Sequence, residues 1–456
     1  MKTRGGRQTH AVYRCRSTDR APGVDRRPRS LASRASCPAA ALAAVLTLAG
    51  CAAVDNFGDR GLAYNEQITS TQNRMLFLNI VRAANKHPMA FTSIASVAGT
   101  ATASGQLGFT LPFADNAGLA PFEAGPQIGA SGGPTFSINN LDSQDFMKGF
   151  LTPIDVKTID LFGQEGLPWQ ELYDLFVAKV AITDADGHPR AWLYNSPGPW
   201  PTQVAQQTQF QDFLEVLRRA QLHTEAVEDF VKIGPELSGK DLPTLETSIA
   251  ATQANLVLKL VGPGRYQLGR TVAGHRFCVG DAATDQLAIK VDGRDFPIQV
   301  TRGMRCGATA AERADDSPPG DDATGTHRLL ASAATGGYQL VVSLRSAEAV
   351  TYYLGELVRQ QLCLQADGRC DQPTPRLVMV RNEAHDDTPT PLFEVARRSP
   401  RPRDLVAVRY LGESFCVAGD QDDRSAQVLT ILGQLVNLNK SAKDNPAPNI
   451  VTLVGH

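Results

Sequence analysis

The densest polar cluster with chemical potential is His385-Asp386-Asp387, with Glu383 just before it. An imidazole beside carboxylates can act as a general base or hold a metal. The segment runs on into Thr388-Pro389-Thr390-Pro391, a composition that reads as an exposed loop. Asp184-Ala185-Asp186-Gly187 opens like a calcium loop, but Asn195 stands where the closing Glu is required, so a polar Asp-Gly turn is the better reading. Gly262-Pro263-Gly264 followed by Gly269 has the wrong spacing for a dinucleotide fingerprint and reads as a hairpin turn. Gly412-Glu413-Ser414-Phe415-Cys416 lacks the second Gly of a nucleophile elbow and reads as a turn between strands. His87 beside Pro88 suits a helix C-terminus, where a cation favours the dipole. His223, His275 and His327 have no partner at diagnostic spacing. No catalytic set emerges, and no metal or cofactor is expected.

The cysteines carry different chemistry. Leu48-Ala49-Gly50-Cys51 closes an apolar run from Ala39 and looks like a bacterial lipobox. The run is shorter than the roughly 20 residues that span a bilayer, and it suits the apolar part of a secretory signal. Residues 1–50 therefore read as a signal peptide with an extended basic start, cleaved before Cys51. The resemblance to bacterial lipoproteins implies acyl chains, palmitate among them, on Cys51 and a tether over residues 51–61. Ala52 rather than Asp follows the cysteine, which by analogy favours the periplasmic side of the outer membrane. In such an oxidising compartment disulfides persist. Cys363 and Cys370 are the best pair, with Ala366-Asp367-Gly368 as a turn between them. Cys306 could join either Cys278 or Cys416, leaving one thiol as a buried small hydrophobe. The CxxC spacing of a zinc site is absent.

Charge agrees with processing at Cys51. The chain has 45 Lys+Arg and 47 Asp+Glu, of which residues 1–50 hold 10 and 2, so the remainder carries 35 basic against 45 acidic groups. A surface of that sign repels phosphate backbones and disfavours nucleic acid.

The elements that must position these residues follow from periodicity. Residues 62–235 read as a mainly helical domain with a short β pair. A helix runs from Leu62 to Ala84 and stops before Pro88. Leu107 to Leu111 is strand-like, residues 114–134 read as a mobile loop, and Thr135 to Ile138 is a strand that could pair with 107–111. Asp142 or Ser143 caps a helix with Phe146, Met147 and Phe150. Another holds Val156, Ile159, Leu161 and Phe162. Pro168 starts a third, whose stripe is Leu172, Leu175, Phe176 and Val180. An amphipathic helix covers 203–221. A soft boundary near Gly234 to Lys240 leads to a second domain, 241–456, with strands at Leu256–Val261, Tyr266–Val272, Arg276–Val279 and Gln286–Val291. A polar insert at 309–326 follows. The last part reads β-α-β-β-β-α-β, ending in a strand at Ile450–Val454, and suggests a mixed α/β sandwich within an α+β class.

Three stretches resemble proteobacterial envelope lipoproteins of unknown function. They are Asn79-Ile80-Val81-Arg82-Ala83 with Pro88, Pro134 to Pro153 with its Phe146-x-x-x-Phe150-Leu151-Thr152-Pro153 end, and Arg409-Tyr410-Leu411-Gly412 through Asp423 and Ser425. The family pattern has Lys after that Ser, where Ala426 stands here, so no charged role is implied there. The expectation is an outer-membrane-anchored lipoprotein, a non-catalytic structural or assembly component touching other envelope proteins. The alternatives are a periplasmic small-molecule binder with a cleft between the halves, and a hydrolase using His385 and nearby carboxylates.

Overall fold

The computed structural model describes residues 57–106, 127–198, 200–238, 256–281, 283–314, 326–330, 337–365, 377–381, 389–419 and 423–440. The chain divides at Ala63/Tyr64, and Tyr64–His456 is one compact unit. The class is α+β.

Helix α1 (Phe57–Ala84) leads into a long hairpin, β1 (Thr92–Gln106) against β2 (Gln127–Asn140). Helices α2 (Gln144–Leu151), α3 (Val156–Gln164) and α4 (Trp169–Phe176) follow in quick succession. Then come β3 (Val177–Thr183), β4 (Pro189–Tyr194), α5 (Pro201–Arg219) and β5 (Leu222–Ser238). Strands β6 (Val257–Gly262), β7 (Arg265–Val279), β8 (Gln286–Val291) and β9 (Arg294–Gln299) precede a short helix α6 (Ala310–Ala314). After β10 (Thr326–Leu330) and β11 (Gln339–Leu344) comes helix α7 (Ala347–Gln365). Strands β12 (Met379–Arg381), β13 (Pro389–Pro391), β14 (Ala396–Arg397), β15 (Asp404–Tyr410) and β16 (Glu413–Ala418) lead to helix α8 (Asp423–Leu438).

The strand ladders are antiparallel and the sheets small. The largest runs β10-β11-β3-β4, and two others run β5-β7-β6 and β14-β16-β15. The order β-α-β-β-β-α thus does not build a single mixed sheet: β11 leaves the C-terminal group and pairs with β3. The segments 62–235 and 241–456 consequently share a sheet and one apolar core. The composition shift near 234–240 falls within β5, which continues to Ser238 against β7 through a register shift between Lys232 and Glu236. The expected strand at Ile450–Val454 lies outside the described residues.

Local chemistry explains most elements. Ser143 caps α2 by accepting from the Phe146 N–H, and Asp155 caps α3 by accepting from the Thr158 N–H. Asp292-Gly293, both at positive φ (49° and 76°), make the tight turn joining β8 to β9, a hairpin absent from the expected strands. Leu411-Gly412 turns β15 into β16 the same way, with φ of 51° and 84°. Four other expectations are corrected. Helix α4 stops at Phe176, so Val180 is a strand residue. Residues 127–134, taken for loop, are strand, and Thr135 to Ile138 pair with Ile94 to Ala98 rather than with 107–111, which lie outside the described residues. The polar insert begins with a helix turn at Ala310–Ala314 and its last residue, Thr326, opens β10, while 315–325 lie outside the described residues. Among the residues of α1 whose burial is described, the buried ones are Leu76, Phe77, Asn79, Ile80, Val81, Ala83 and Ala84, all near its end, while Leu62 is exposed.

The core closes around that end. A Cβ at Gly355 on α7 would sit 2.7 Å from the Ala83 Cβ and 2.8 Å from the Ala84 nitrogen, so α1 and α7 touch nearly backbone to backbone. Phe91 meets Phe150 edge-on at 4.6 Å, and Phe150 stacks on Phe146 at 5.2 Å. Among the described residues no helix is long and apolar enough to cross a membrane.

Cys278 is disulfide-bonded to Cys306, closing a separation of 28 residues. Of the two partners open to Cys306, Val279 decides: its carbonyl accepts from the Cys306 N–H at 2.9 Å, which draws the two cysteines together. On a chain-entropy account a loop of that length contributes about 3–4 kcal/mol. The double variant Cys278→Ala/Cys306→Ala should show a correspondingly lower urea midpoint by circular dichroism, and an unchanged midpoint would refute the contribution.

Candidate functional site

The cysteine expected to carry lipid, Cys51, lies outside the described residues, as do His385, Asp386, Asp387 and Glu383. Cys363 is disulfide-bonded, and its expected partner Cys370 also lies outside them. Cys416 is a buried free thiol, held at 3.4 Å from the Arg398 carbonyl. Burial, the first cause, and the nearby Asp404 raise its pKa, so it is a poor nucleophile.

The calcium-like stretch is a turn. Asp184 Oδ1 accepts from the Asp186 and His188 N–H groups at 3.1 and 2.8 Å, and Oδ2 accepts from Arg190. With both oxygens engaged in closing the β3–β4 hairpin, Asp184 has little left for a cation. Glu225, Cys278 and Cys306 also lie close together, but the sulfurs are bonded to each other. Glu225 instead binds Arg276 and the Gly307 N–H, fastening the disulfide loop to β5.

Two histidines find partners that spacing could not show. His275 Nε2 lies 3.5 Å from Asp160 Oδ2. Asp160 is buried and also accepts from Thr224 Oγ1 at 2.7 Å and Gln164 Nε2 at 2.6 Å. A carboxylate so used ties α3 to β5 and β7. His87 Nδ1 and the Tyr410 hydroxyl are 2.6 Å apart.

That second pair belongs to a wider convergence. Asn79 bonds both the N–H and the C=O of Ala90, at 2.9 and 2.8 Å, acting as a strand partner for the chain after Pro88. Leu141 in the second stretch donates its N–H to the Phe91 carbonyl at 2.9 Å. Ser425 in the third accepts the Glu394 N–H at 3.1 Å. The described residues carrying the resemblance therefore hold backbone, Asn79 and Leu141 in the chain that follows α1 and Ser425 at Glu394.

A buried cluster around Arg345 has no counterpart in the sequence spacing. Arg345 sits between β11 and α7, buried to 6% exposure. Its Nη1 donates to the carbonyls of Asp174 and Leu175, both at 2.9 Å, and its Nη2 to the Asn195 carbonyl. Its own N–H bonds the Phe176 carbonyl at 2.7 Å, and its guanidinium lies 3.9 Å from the Tyr353 ring centroid. Asn195 Nδ2 donates to the Asp174 and Val177 carbonyls, and Gln207 donates to Asn195 Oδ1. These groups satisfy the orphan carbonyls at the end of α4, where a cation also favours the dipole.

The Asp174 side chain is fully buried, accepting from Gln211 at 2.6 Å on Oδ1, and Oδ2 has no partner. Burial pushes its pKa up to about 7, against the weaker opposing pulls of Gln211 and Arg345. Burial likewise lowers the Arg345 pKa to about 10 and raises that of Tyr353. The signal for this cluster was faint: Leu344-Arg345-Ser346, a charge between a strand and a cap. No described protein family, curated protein or solved structure matches this chain.

Replacing Arg345 by Met should cost about 3–5 kcal/mol in urea unfolding, because several buried carbonyls lose their donors together. A loss below about 1 kcal/mol would show that the cluster is dispensable. Asp174 has a folded pKa above its unfolded value near 3.9. Its carboxyl therefore favours folding below about pH 4 and loses that advantage as pH rises towards 7. The fall in unfolding free energy from pH 5 to pH 8 should be smaller in Asp174→Asn than in wild type. Equal slopes would refute the assignment.

Proposed function

We propose that the chain is a lipoprotein anchored through Cys51 to the periplasmic face of the outer membrane, where it serves as a non-catalytic structural or assembly component of an envelope complex. The observation that carries this reading is Leu48-Ala49-Gly50-Cys51 at the end of an apolar run. The acidic balance after residue 50 supports it, since an extended basic start belongs to a removed signal.

The non-catalytic part rests on how the described polar groups are used. The buried carboxylates of Asp160 and Asp174 and the imidazoles of His87 and His275 serve packing between elements. The disulfide fits an oxidising compartment. Contact with other proteins is supported by the far end of the β5-β7-β6 sheet, where Val231, Ile233, Val257, Leu260 and Val261 are exposed. These side chains stand on both faces of the sheet, since Val231 and Leu260 oppose Arg270 and Tyr266 of β7 while Val257 opposes Gly269, so a partner would grip the sheet end from two sides.

Cells expressing the full chain should incorporate labelled palmitate into it and hold it in the outer-membrane fraction. Cys51→Ser should abolish the label. Label that survives Cys51→Ser, or wild-type protein without label, would defeat the anchor.

A further inference from the structure

The β1–β2 hairpin stands apart from the other sheets. Among the described residues it has two strands of 15 and 14 residues and no third. At about 3.4 Å per residue it is roughly 50 Å long. A transmembrane strand needs about 9–11 residues, so each of these has length to spare.

Its register sorts residue types by face. Ile94, Val97, Gly99, Ala101, Ala103 and Gly105 pair with Ile138, Phe136, Pro134, Gly132, Ala130 and Ile128. Beyond the Thr92–Asn140 pair that opens the hairpin, every residue on that face is apolar or Gly. On the other face Ser93, Ser96, Ala98, Thr100, Thr102, Ser104 and Gln106 pair with Asn139, Ser137, Thr135, Gly133, Ser131, Gly129 and Gln127. The irregularity between Ile94 and Ser96 is what keeps the two faces in phase. Ile138, at the base of the apolar face, is 55% exposed, so the body of the protein leaves it uncovered there.

Charge is excluded from both strands. Between His87 and Asp142 the charged residues are Asp115 and Glu123, and both fall between the strands. A hairpin built only to stand in water needs neither a continuous apolar face nor freedom from charge, and edges are usually defended by charge. Apolar residues alternating with small polar ones, without charge, are the pattern of strands with lipid on one side and a wet lumen on the other.

We propose that this hairpin inserts into a bilayer and closes edge to edge with the same hairpin of further copies of this chain, forming a shared β-barrel. Lipid covers the apolar face, and the Ser and Thr face lines the lumen. Copies are required because a lone two-stranded ribbon leaves two rows of backbone groups unpaired in hydrocarbon, which a membrane does not tolerate. Two strands per chain give an even strand number, and about four copies reach the roughly eight strands of a small barrel. This inference goes beyond the anchor and does not depend on lipid at Cys51.

The test uses the full chain, purified in detergent and reconstituted into phosphatidylcholine–phosphatidylglycerol vesicles loaded with a small anionic dye. Wild type should run as a multimer and release the dye. Ala101→Lys/Ala103→Lys, on the apolar face, should lower release at least tenfold. Thr100→Lys/Thr102→Lys, on the facing side of the same strand, should retain release and favour anions over cations. Both variants must keep the thermal unfolding of the wild-type body, which lies outside the hairpin. Equal loss from the two pairs would overturn the proposal. So would a folded wild type that stays monomeric and leaves vesicles intact, which would give the apolar face to a protein partner. Palmitate labelling and dye release report on Cys51 and on the hairpin separately.

Discussion

The guanidinium of Arg345 is the interaction on which the core arrangement depends. Helix α4 ends inside the protein, and its last carbonyls need donors that water cannot supply there. Arg345 provides them from a position about 170 residues further along the chain. Its backbone holds two more segments, since its carbonyl accepts from Ile154 and its N–H bonds Phe176. The consequence is architectural. Strand β11 must lie beside β3 for this residue to reach α4, and α7 must start immediately afterwards, with Ser346 accepting the Ala349 N–H. Burying a cation is costly unless its bonds are complete. Here the carbonyls of three residues and the Tyr353 ring complete them, so the same group that closes the helix also specifies which strands are neighbours.

This explains which parts of the fold were legible. Elements with their signals nearby were readable: Ser143 before α2, Pro168 before α4, and the turns at Asp184 to Gly187 and Leu411-Gly412. The end of α4 was not, because no Gly or Pro marks it. Leu172, Leu175, Phe176 and Val180 fit a helical stripe, yet Val177 to Ile182 is equally a strand run. What decides between them is Arg345 and Asn195, distant in sequence. The boundary near residue 235 misled for a related reason. A local composition shift at a strand irregularity looks like a linker until the partner strand β7 is known.

The candidate chemistry divides in the same way. Spacing correctly showed that the Asp184 and Gly262 stretches are turns, since later ligands or a following helix were missing. Asp160 with His275, and His87 with Tyr410, pair across 115 and 323 residues and left no local trace. Phe277-Cys278-Val279 and Phe415-Cys416-Val417 share three residue types and differ in what their cysteines do. Both are buried ends of strands, but only Cys278 has a Val279 carbonyl that receives the Cys306 N–H, while Cys416 faces the Arg398 carbonyl.

The hairpin was the hardest element to read, and the reason bears on what it does. Strand signals rest on Val, Ile and aromatic residues, whereas β1 and β2 are largely Gly, Ala, Ser and Thr. Their alternation is broken only by Thr92 and Asn140 at the base and by Ala98, but Gly and Ala give it low contrast, and the irregularity at Ala95 breaks its phase. Only the ladder reveals that the two strands sort the same way. Small residues weaken such a ribbon in water, where a two-stranded sheet is marginal even with good β formers. In hydrocarbon the balance changes, because each unpaired backbone group costs several kcal/mol, about as much as a large side chain contributes by burial. Backbone pairing then dominates over side-chain packing, and a sequence poor in packing groups but free of charge becomes a workable strand. The body has its own dense apolar core beside Arg345, and on this proposal that core carries the hairpin through a change of environment.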